Sequence, residues 1–183
     1  GCIGNVDDAF EWAEDVGLKV LLVLGISPGR EEDEHGLIHN HEHFSDYRDD
    51  MLQVLSLLAD RYKMRDGFLG VEVADEPRTQ TRRGLSVSEG VPLHVLRTYY
   101  RAAYDAVRKT AGKDPVIVIP DAGRHGAWDV FMAQRRYENV WLDSHLYHYT
   151  DKTDATGPFG VRHLVDNSLT ALKAARRSGL PVM

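Results

Sequence analysis

Glu76 is the residue whose position most clearly suggests chemistry. It follows the apolar run at residues 70–74 and Asp75, and Pro77 comes directly after it. Proline lacks the N–H that a strand interior needs, so the strand is predicted to end here with Glu76 at its carboxyl end. In parallel α/β folds that end is where active sites form. We therefore expect a functional carboxyl group at Glu76; the alternative is a glutamate that caps the next loop or pairs with Arg78.

Polar side chains alternate with other residues along a second predicted strand, at residues 140–149. Because neighbouring strand residues point to opposite faces, the alternating set shares one face; its members are Asp143, His145, Tyr147 and Tyr149. This face could line a binding site, or it could form an inward polar layer that binds nothing. The residues alone leave both interpretations open.

A third group of reactive side chains lies in a polar linker, where acidic residues and histidines crowd residues 31–43. In an extended segment His39, His41 and His43 would project to one side, and alternating histidines can bind zinc, nickel or copper. The spacing fits no specific metal motif, so a solvated polar loop is preferred. No metal or other cofactor is predicted.

Composition narrows the class of protein. A chain of 183 residues with 43% hydrophobic residues predicts one globular domain over residues 1–183. The net charge of −6 and the lack of a basic run argue against a nucleic-acid partner, and no apolar stretch is long enough to span a membrane. The single cysteine, Cys2, excludes an internal disulfide but does not fix the compartment. The location stays open, with the cytoplasm preferred over secretion.

Helices and strands are predicted to alternate, as in an α/β fold. The strands are mostly continuous apolar runs, as expected when helices cover both faces of a parallel sheet. Strands are predicted at residues 18–24, 68–74, 116–120, 140–149 and from 180 onward. Helices are predicted at residues 5–16, from 45 or 46 to before 67, 92–111, 126–134 and 164–177. The two long polar linkers, residues 27–44 and 78–91, each follow a strand's carboxyl end and should border a site.

The order of these segments resembles glycoside hydrolase family 5 of clan A, in particular its exo-β-1,3-glucanase-like and cellulase-like members. Residues 75–77 resemble the family's Asn-Glu-Pro, and His145 with Tyr147 resembles its His-x-Tyr. Further similarity lies at residues 1–22, 99–108, 121–132 and 181–183. The resemblance implies a partial (β/α)8 barrel with a parallel sheet and flanking helices. The chain would supply about five βα units, family strands three to seven, and would be truncated at both ends.

The resemblance also implies roles for individual residues. Glu76 would be the general acid/base of a retaining glycosidase, and an oligo- or polysaccharide would be the partner. The residues implied or considered for substrate binding are Asp75, Trp128, His145, Tyr147 and Tyr149. Asp75 replaces the family's Asn and offers acceptors only, and Gly25 replaces a substrate-facing His. Trp128 could stack on a pyranose ring, but a core anchor at a helix start is the alternative.

The predicted function is hydrolysis of a β-glucan or β-glucoside. The resemblance places the nucleophile after Met183, so this chain alone is expected to lack retaining turnover. One alternative is a non-catalytic saccharide-binding or assembly module, and another is a metal-dependent hydrolase that uses the histidine linker. Five consecutive strands cannot close an eight-stranded barrel, so a homo-oligomer, most simply a two-fold dimer, is expected.

Overall fold

The computed structural model describes residues 2–25, 41–80, 82–83, 85–87, 90–147 and 158–183. The helices are α1 (Cys2–Asp15), α2 (His41–Tyr62), α3 (Leu93–Ala111) and α4 (Pro158–Arg176). The strands are β1 (Val20–Val23), β2 (Phe68–Glu72), β3 (Arg82–Arg83), β4 (Ser86–Val87), β5 (Val116–Pro120) and β6 (Val140–Asp143). None of the helices in these ranges is long and apolar enough to cross a membrane.

Four strands form one parallel sheet in the order β1-β2-β5-β6. Each strand therefore pairs with the next long strand along the chain, and Leu142 forms a further parallel bridge to Val182. Every residue of β5 is buried, and the strand is paired on both edges, with β2 and with β6. This architecture confirms the predicted α/β class. The pairing of Pro120 with Asp143 brings the carboxyl ends of β5 and β6 to one edge of the sheet.

Helix α3 fixes the carboxyl ends of two strands. It begins after Pro92 and ends at Gly112, whose φ of 76° is favourable for glycine. Its buried face carries Tyr99 and Tyr100. The Tyr99 hydroxyl donates to the Val73 carbonyl at 2.5 Å, and the Tyr100 hydroxyl donates to the Pro120 carbonyl at 3.0 Å. Two buried hydrogen bonds thus tie one helix to the ends of β2 and β5.

Several predicted elements differ from the structure. The helix predicted at residues 126–134 is wrong: the segment forms turns, and Val130 and Met132 have φ of 51° and 54°, outside the right-handed helical region. The strand predicted to reach residue 149 ends at Asp143. The linker at 78–91 contains the short antiparallel pair β3–β4, which the composition did not indicate. That residues 1–183 form one domain stays a prediction.

The histidine linker also differs from its expected geometry. Helix α2 begins at His41, so the backbone at His41 and His43 is helical and not extended. The extended backbone from which the metal interpretation was argued is therefore not present at these two residues. His39 lies outside the described residues.

Candidate active site

Glu76 lies where the chain leaves β2, at the carboxyl edge of the sheet. Strand-like pairing continues one residue beyond β2, because the Val73 N–H donates to the Val118 carbonyl at 3.0 Å. The chain then turns, and Glu76 itself has a φ of 37°. A positive φ is uncommon for a residue other than glycine, and such residues cluster at functional sites. The turn aims the Glu76 carboxyl group at the segment that follows β6.

Two side chains from that segment hold the Glu76 carboxyl group. Oε1 of Glu76 lies 2.7 Å from Nδ1 of His145, and it also accepts a hydrogen bond from the Tyr147 hydroxyl. On the other side of the imidazole, Nε2 of His145 lies 2.7 Å from Oδ2 of Asp143. The structure therefore brings together three of the residues predicted for the site and adds Asp143 as their support.

Opposing effects set the protonation of His145. Partial burial lowers the pKa of its imidazole, but the hydrogen bond to Glu76 and the negative charge of Asp143 together outweigh burial, so the net pKa is raised. A raised pKa favours the imidazolium near neutral pH, with both ring nitrogens donating. The site can thus keep a proton within 2.7 Å of the Glu76 carboxyl group.

These groups open into a cleft of about 540 Å³ at the carboxyl edge of the sheet. Its lining residues come from the ends of β2, β5 and β6 and are Glu76, Pro77, Arg78, Pro120, Asp121, Ala122, Gly123, Asp143, His145 and Tyr147. Tyr147 is 57% exposed, so one aromatic face is available to a ligand beside the carboxyl group. The arrangement can bind a polar molecule with an apolar face and exchange a proton with it.

The wall formed after β5 was missed as part of the site. Asp121 accepts from the Gly123 N–H at 2.8 Å and from the Ser144 hydroxyl at 2.6 Å, and its carboxylate also contacts Nδ1 of His125. These residue types are those of a serine-hydrolase triad. However, Ser144 and Asp121 both approach the same ring nitrogen, so the imidazole cannot relay a proton between them. Of these three side chains only Asp121 lines the cleft, and its sequence signal was an acid directly after an apolar strand.

Trp128 does not reach the cleft. It is 0% exposed, its ring stacks on Tyr100 at 5.3 Å, and its Nε1–H donates to the Asp121 carbonyl at 2.8 Å. A sugar cannot stack on a ring whose faces are covered, so the predicted contact with substrate is wrong and the alternative, a core anchor, is correct. Asp75 is partly exposed and is not one of the residues that line the cleft. Tyr149 lies outside the described residues.

Glu72, at the end of β2, is a further carboxyl group below the cleft. It is 3% exposed, and burial, followed by the charge of Asp143, raises its pKa to about 8. One carboxyl oxygen each from Glu72 and Asp143 and a ring nitrogen of His145 lie within 4.8 Å of one another. The sequence gave no sign of this contact between Glu72 and Asp143 across the sheet.

The raised pKa of Glu72 predicts a specific pH dependence of stability. Between its ordinary value of 4.5 and about 8, Glu72 keeps a proton in the folded chain that the unfolded chain releases. Its contribution to the free energy of unfolding is therefore fully present below pH 4.5 and is lost as the pH rises toward 8. Urea unfolding should show the wild type losing stability relative to Glu72→Gln across this range. Glu138→Gln, on the surface beside Lys113, should run parallel to the wild type; a similar parallel course for Glu72→Gln would contradict the prediction.

Comparisons with known proteins identify the family of this chain. The model of the cellulase family, glycosyl hydrolase family 5, matches residues 2–183. The glucan 1,3-β-glucosidase of Lachancea kluyveri is 30% identical over 153 residues, which cover 78% of this chain and 32% of that protein. The enzyme of the same name from Kluyveromyces lactis is 29% identical over 150 residues, 78% of this chain and 33% of that protein. The chain thus spans about a third of the length of the curated relatives it matches.

Solved structures show the same fold. A family 5 xyloglucan-specific endo-β-1,4-glucanase from a metagenomic library, in complex with cellotriose, matches 98% of this chain with a TM-score of 0.68 at 18% identity. Endo-glycoceramidase II from Rhodococcus sp. matches 98% with a TM-score of 0.65 at 15% identity. The chain covers 55% and 51% of these two structures, as expected for part of a (β/α)8 barrel. On the match over residues 2–183, this chain belongs to glycosyl hydrolase family 5.

Proposed function

We propose that this chain is part of a retaining β-glucan or β-glucoside hydrolase, with Glu76 as its general acid/base. The observation that carries the proposal is the placement of the Glu76 carboxyl group at the carboxyl edge of the sheet, beside the cleft and bonded to His145 and Tyr147. The relatives named glucan 1,3-β-glucosidase and the structural neighbour in complex with cellotriose support a β-glucan as substrate.

The proposed chemistry uses Glu76 twice. As a carboxylic acid it protonates the glycosidic oxygen of the leaving group, and as a carboxylate it then removes a proton from the attacking water. His145, whose Nδ1 faces Glu76, can accept from the acid form and donate to the ionised form. The same contact therefore accommodates both protonation states of Glu76.

A retaining reaction also needs a nucleophilic carboxylate about 5–5.5 Å from the acid/base. Asp143 does not fit this role, because its Oδ2 bonds Nε2 of His145 and so lies across the imidazole from Glu76. Glu72 does not fit either, since it is buried below the cleft. We propose that the nucleophile lies outside residues 1–183, where the resemblance to the family places it after Met183.

Labelling with a mechanism-based 2-fluoro glucoside tests this assignment of the nucleophile. The 183-residue chain should remain unlabelled by intact mass. Stoichiometric labelling of any carboxylate within it would show that the nucleophile lies in this chain.

Saccharide binding tests the cleft independently of turnover. Isothermal titration of the chain with laminaritriose and cellotriose should give saturable binding, because the exposed Tyr147 ring offers a flat apolar face to a sugar. Tyr147→Ala should weaken binding about two- to tenfold. Trp12→Ala removes an aromatic ring that is 69% exposed on α1 and should leave binding unchanged. Equal losses from both variants, or no binding at all, would count against the cleft as a sugar site.

A non-catalytic saccharide-binding module is the second candidate function. The placement of Glu72 and Asp143 favours it, because neither described carboxylate near Glu76 is positioned as a nucleophile. Saccharide binding with no hydrolysis of any β-glucoside, by this chain or by a longer form of the protein, would support it. The metal-dependent hydrolase stays a prediction; activity that is lost with a chelator and restored by zinc would support it.

Self-association of the chain stays a prediction, and the unpaired edge of the sheet is the surface proposed for it. Strand β1 is an edge of the sheet, with no strand on its outer side among the described residues. Apolar side chains are exposed on this strand and just before it, namely Leu18 and Val23. We propose that a second copy covers this edge and predict a dimer in sedimentation equilibrium at micromolar concentration. A monomer with cooperative unfolding would argue against it.

A further inference from the structure

Glu72 is a buried carboxyl group that the proposed reaction does not use. It occupies the last position of β2, four residues before Glu76, and its side chain is almost completely enclosed. Its Oε1 has no hydrogen-bond partner among the described residues. A buried polar oxygen without a partner is costly, so its environment calls for an explanation.

A second carboxyl group, that of Asp143, lies close to the carboxyl group of Glu72. Glu72 and Asp143 each place an oxygen within a cluster 4.8 Å across that also includes a ring nitrogen of His145. Two ionised carboxylates have no hydrogen to share and repel each other, whereas a protonated one can donate to its neighbour. One proton held between Glu72 and Asp143 would satisfy both groups.

From this pair a chain of contacts leads to the cleft. Oδ2 of Asp143 lies 2.7 Å from Nε2 of His145, and Nδ1 of His145 lies 2.7 Å from Oε1 of Glu76. Because Asp143 accepts from Nε2–H, the imidazole presents Nδ1 to Glu76 in either protonation state. A proton can then rest on Nδ1 of His145, opposite an ionised Glu76, or on Oε1 of Glu76, opposite a neutral imidazole.

The charges on these four hydrogen-bonded side chains depend on which of them hold protons. The titratable groups that face Glu72 are Asp143 and His145 from the β6 side, Asp75 beyond the end of its own strand, and Tyr100 from α3. Burial raises the pKa of Tyr100 well above its ordinary value, so it stays neutral. Ionising Glu72 would place a further carboxylate beside Asp143 in a region with little water to stabilise it.

We propose that Glu72 and Asp143 share a proton as a buried acid pair, and that this pair is the positioning unit that holds His145 against Glu76. The proposal rests on the proposed function for the role of Glu76. It makes Glu72 and Asp143 positioning residues, since they act on the cleft through His145.

NMR titration of the histidine ring tests the proposal without requiring turnover. In the wild-type chain, His145 should titrate above its ordinary pKa of 6.5. Its signals should show a second inflection when Glu72 ionises near pH 8. Glu72→Gln keeps a donor for Asp143 but has no proton to lose, so the second inflection should disappear. Asp143→Asn keeps an acceptor for Nε2–H but removes the anion, and should lower the pKa of His145 by at least about one unit, a tenfold loss of proton affinity.

Two results would overturn the proposal. One is a His145 titration that is identical in the wild type and in Glu72→Gln. The other is a Glu72 carboxyl carbon that titrates at its ordinary value of 4.5 in the wild-type chain. The titration of the Glu72 carboxyl carbon uses only the wild-type chain, so it tests the proposal even if Glu72→Gln fails to fold. Failure of the proposed function would appear separately, as hydrolysis that persists in Glu76→Gln while the titrations still show the shared proton.

Discussion

Glu76→Gln is expected to reduce kcat for a β-glucoside with a poor leaving group by about 10²–10⁴-fold, the usual contribution of a positioned general acid. Gln keeps the size of the side chain and an acceptor for Tyr147, but it cannot transfer a proton. The measurement is made on the 183-residue chain if it turns over, and otherwise on the protein together with the segment that supplies the nucleophile.

The leaving group separates a chemical role of Glu76 from a structural one. A strongly acidic phenol departs without protonation, so glycosyl transfer from an activated aryl glucoside should be reduced far less in Glu76→Gln than transfer from an alkyl glucoside. Glu138→Gln, a matched change on the surface, should alter neither rate. An equal loss with both leaving groups would mean that Glu76 supports the fold of the cleft and does not act as the acid.

Trp128→Ala is expected to lower the free energy of unfolding by about 3–5 kcal/mol, as large-to-small substitutions of buried aromatic residues do. The ring is completely enclosed between Tyr100 and Phe131, so its removal leaves a cavity that the packed neighbours cannot fill. The Asp121 carbonyl also loses one of its hydrogen bonds, the one from the indole N–H, and keeps the one from the Arg124 N–H. Urea unfolding monitored by circular dichroism would measure the change.

Trp12→Ala is the matched control for this prediction. Its ring is 69% exposed on α1, and surface substitutions usually change stability by less than about 0.5 kcal/mol. A loss below about 1 kcal/mol in Trp128→Ala would contradict the assignment of Trp128 as a core anchor, and would reopen a role for the ring at the cleft.

The sheet was predictable because its signals are local. Continuous apolar runs locate the four strands, and Pro77 places Glu76 beyond the end of β2. The resemblance to the family placed His145 and Tyr147 at the substrate site, but their contact with Glu76 was found only in the structure.

Features that depend on contacts across the fold were not predictable in this way. The turns at residues 126–134 follow from positive φ values at Val130 and Met132, which the surrounding packing imposes against their local preference. The burial of Trp128 depends on α3, which is distant from it in sequence. The meeting of Glu72 with Asp143 likewise joins two strands separated by β5 in the sheet, and no spacing along the chain encodes it.

The two tyrosine hydrogen bonds of α3 limit which substitutions can change the shape of this cleft. Tyr99 holds the strand that leads to Glu76, and Tyr100 holds the strand that leads to Asp121, so two of the three strand ends that line the cleft are attached to one helix. A shift of α3 would move these two strand ends together and keep the distance between them. Substitutions in the connection at residues 121–139 can therefore change what the cleft accepts without changing the spacing of these two strand ends.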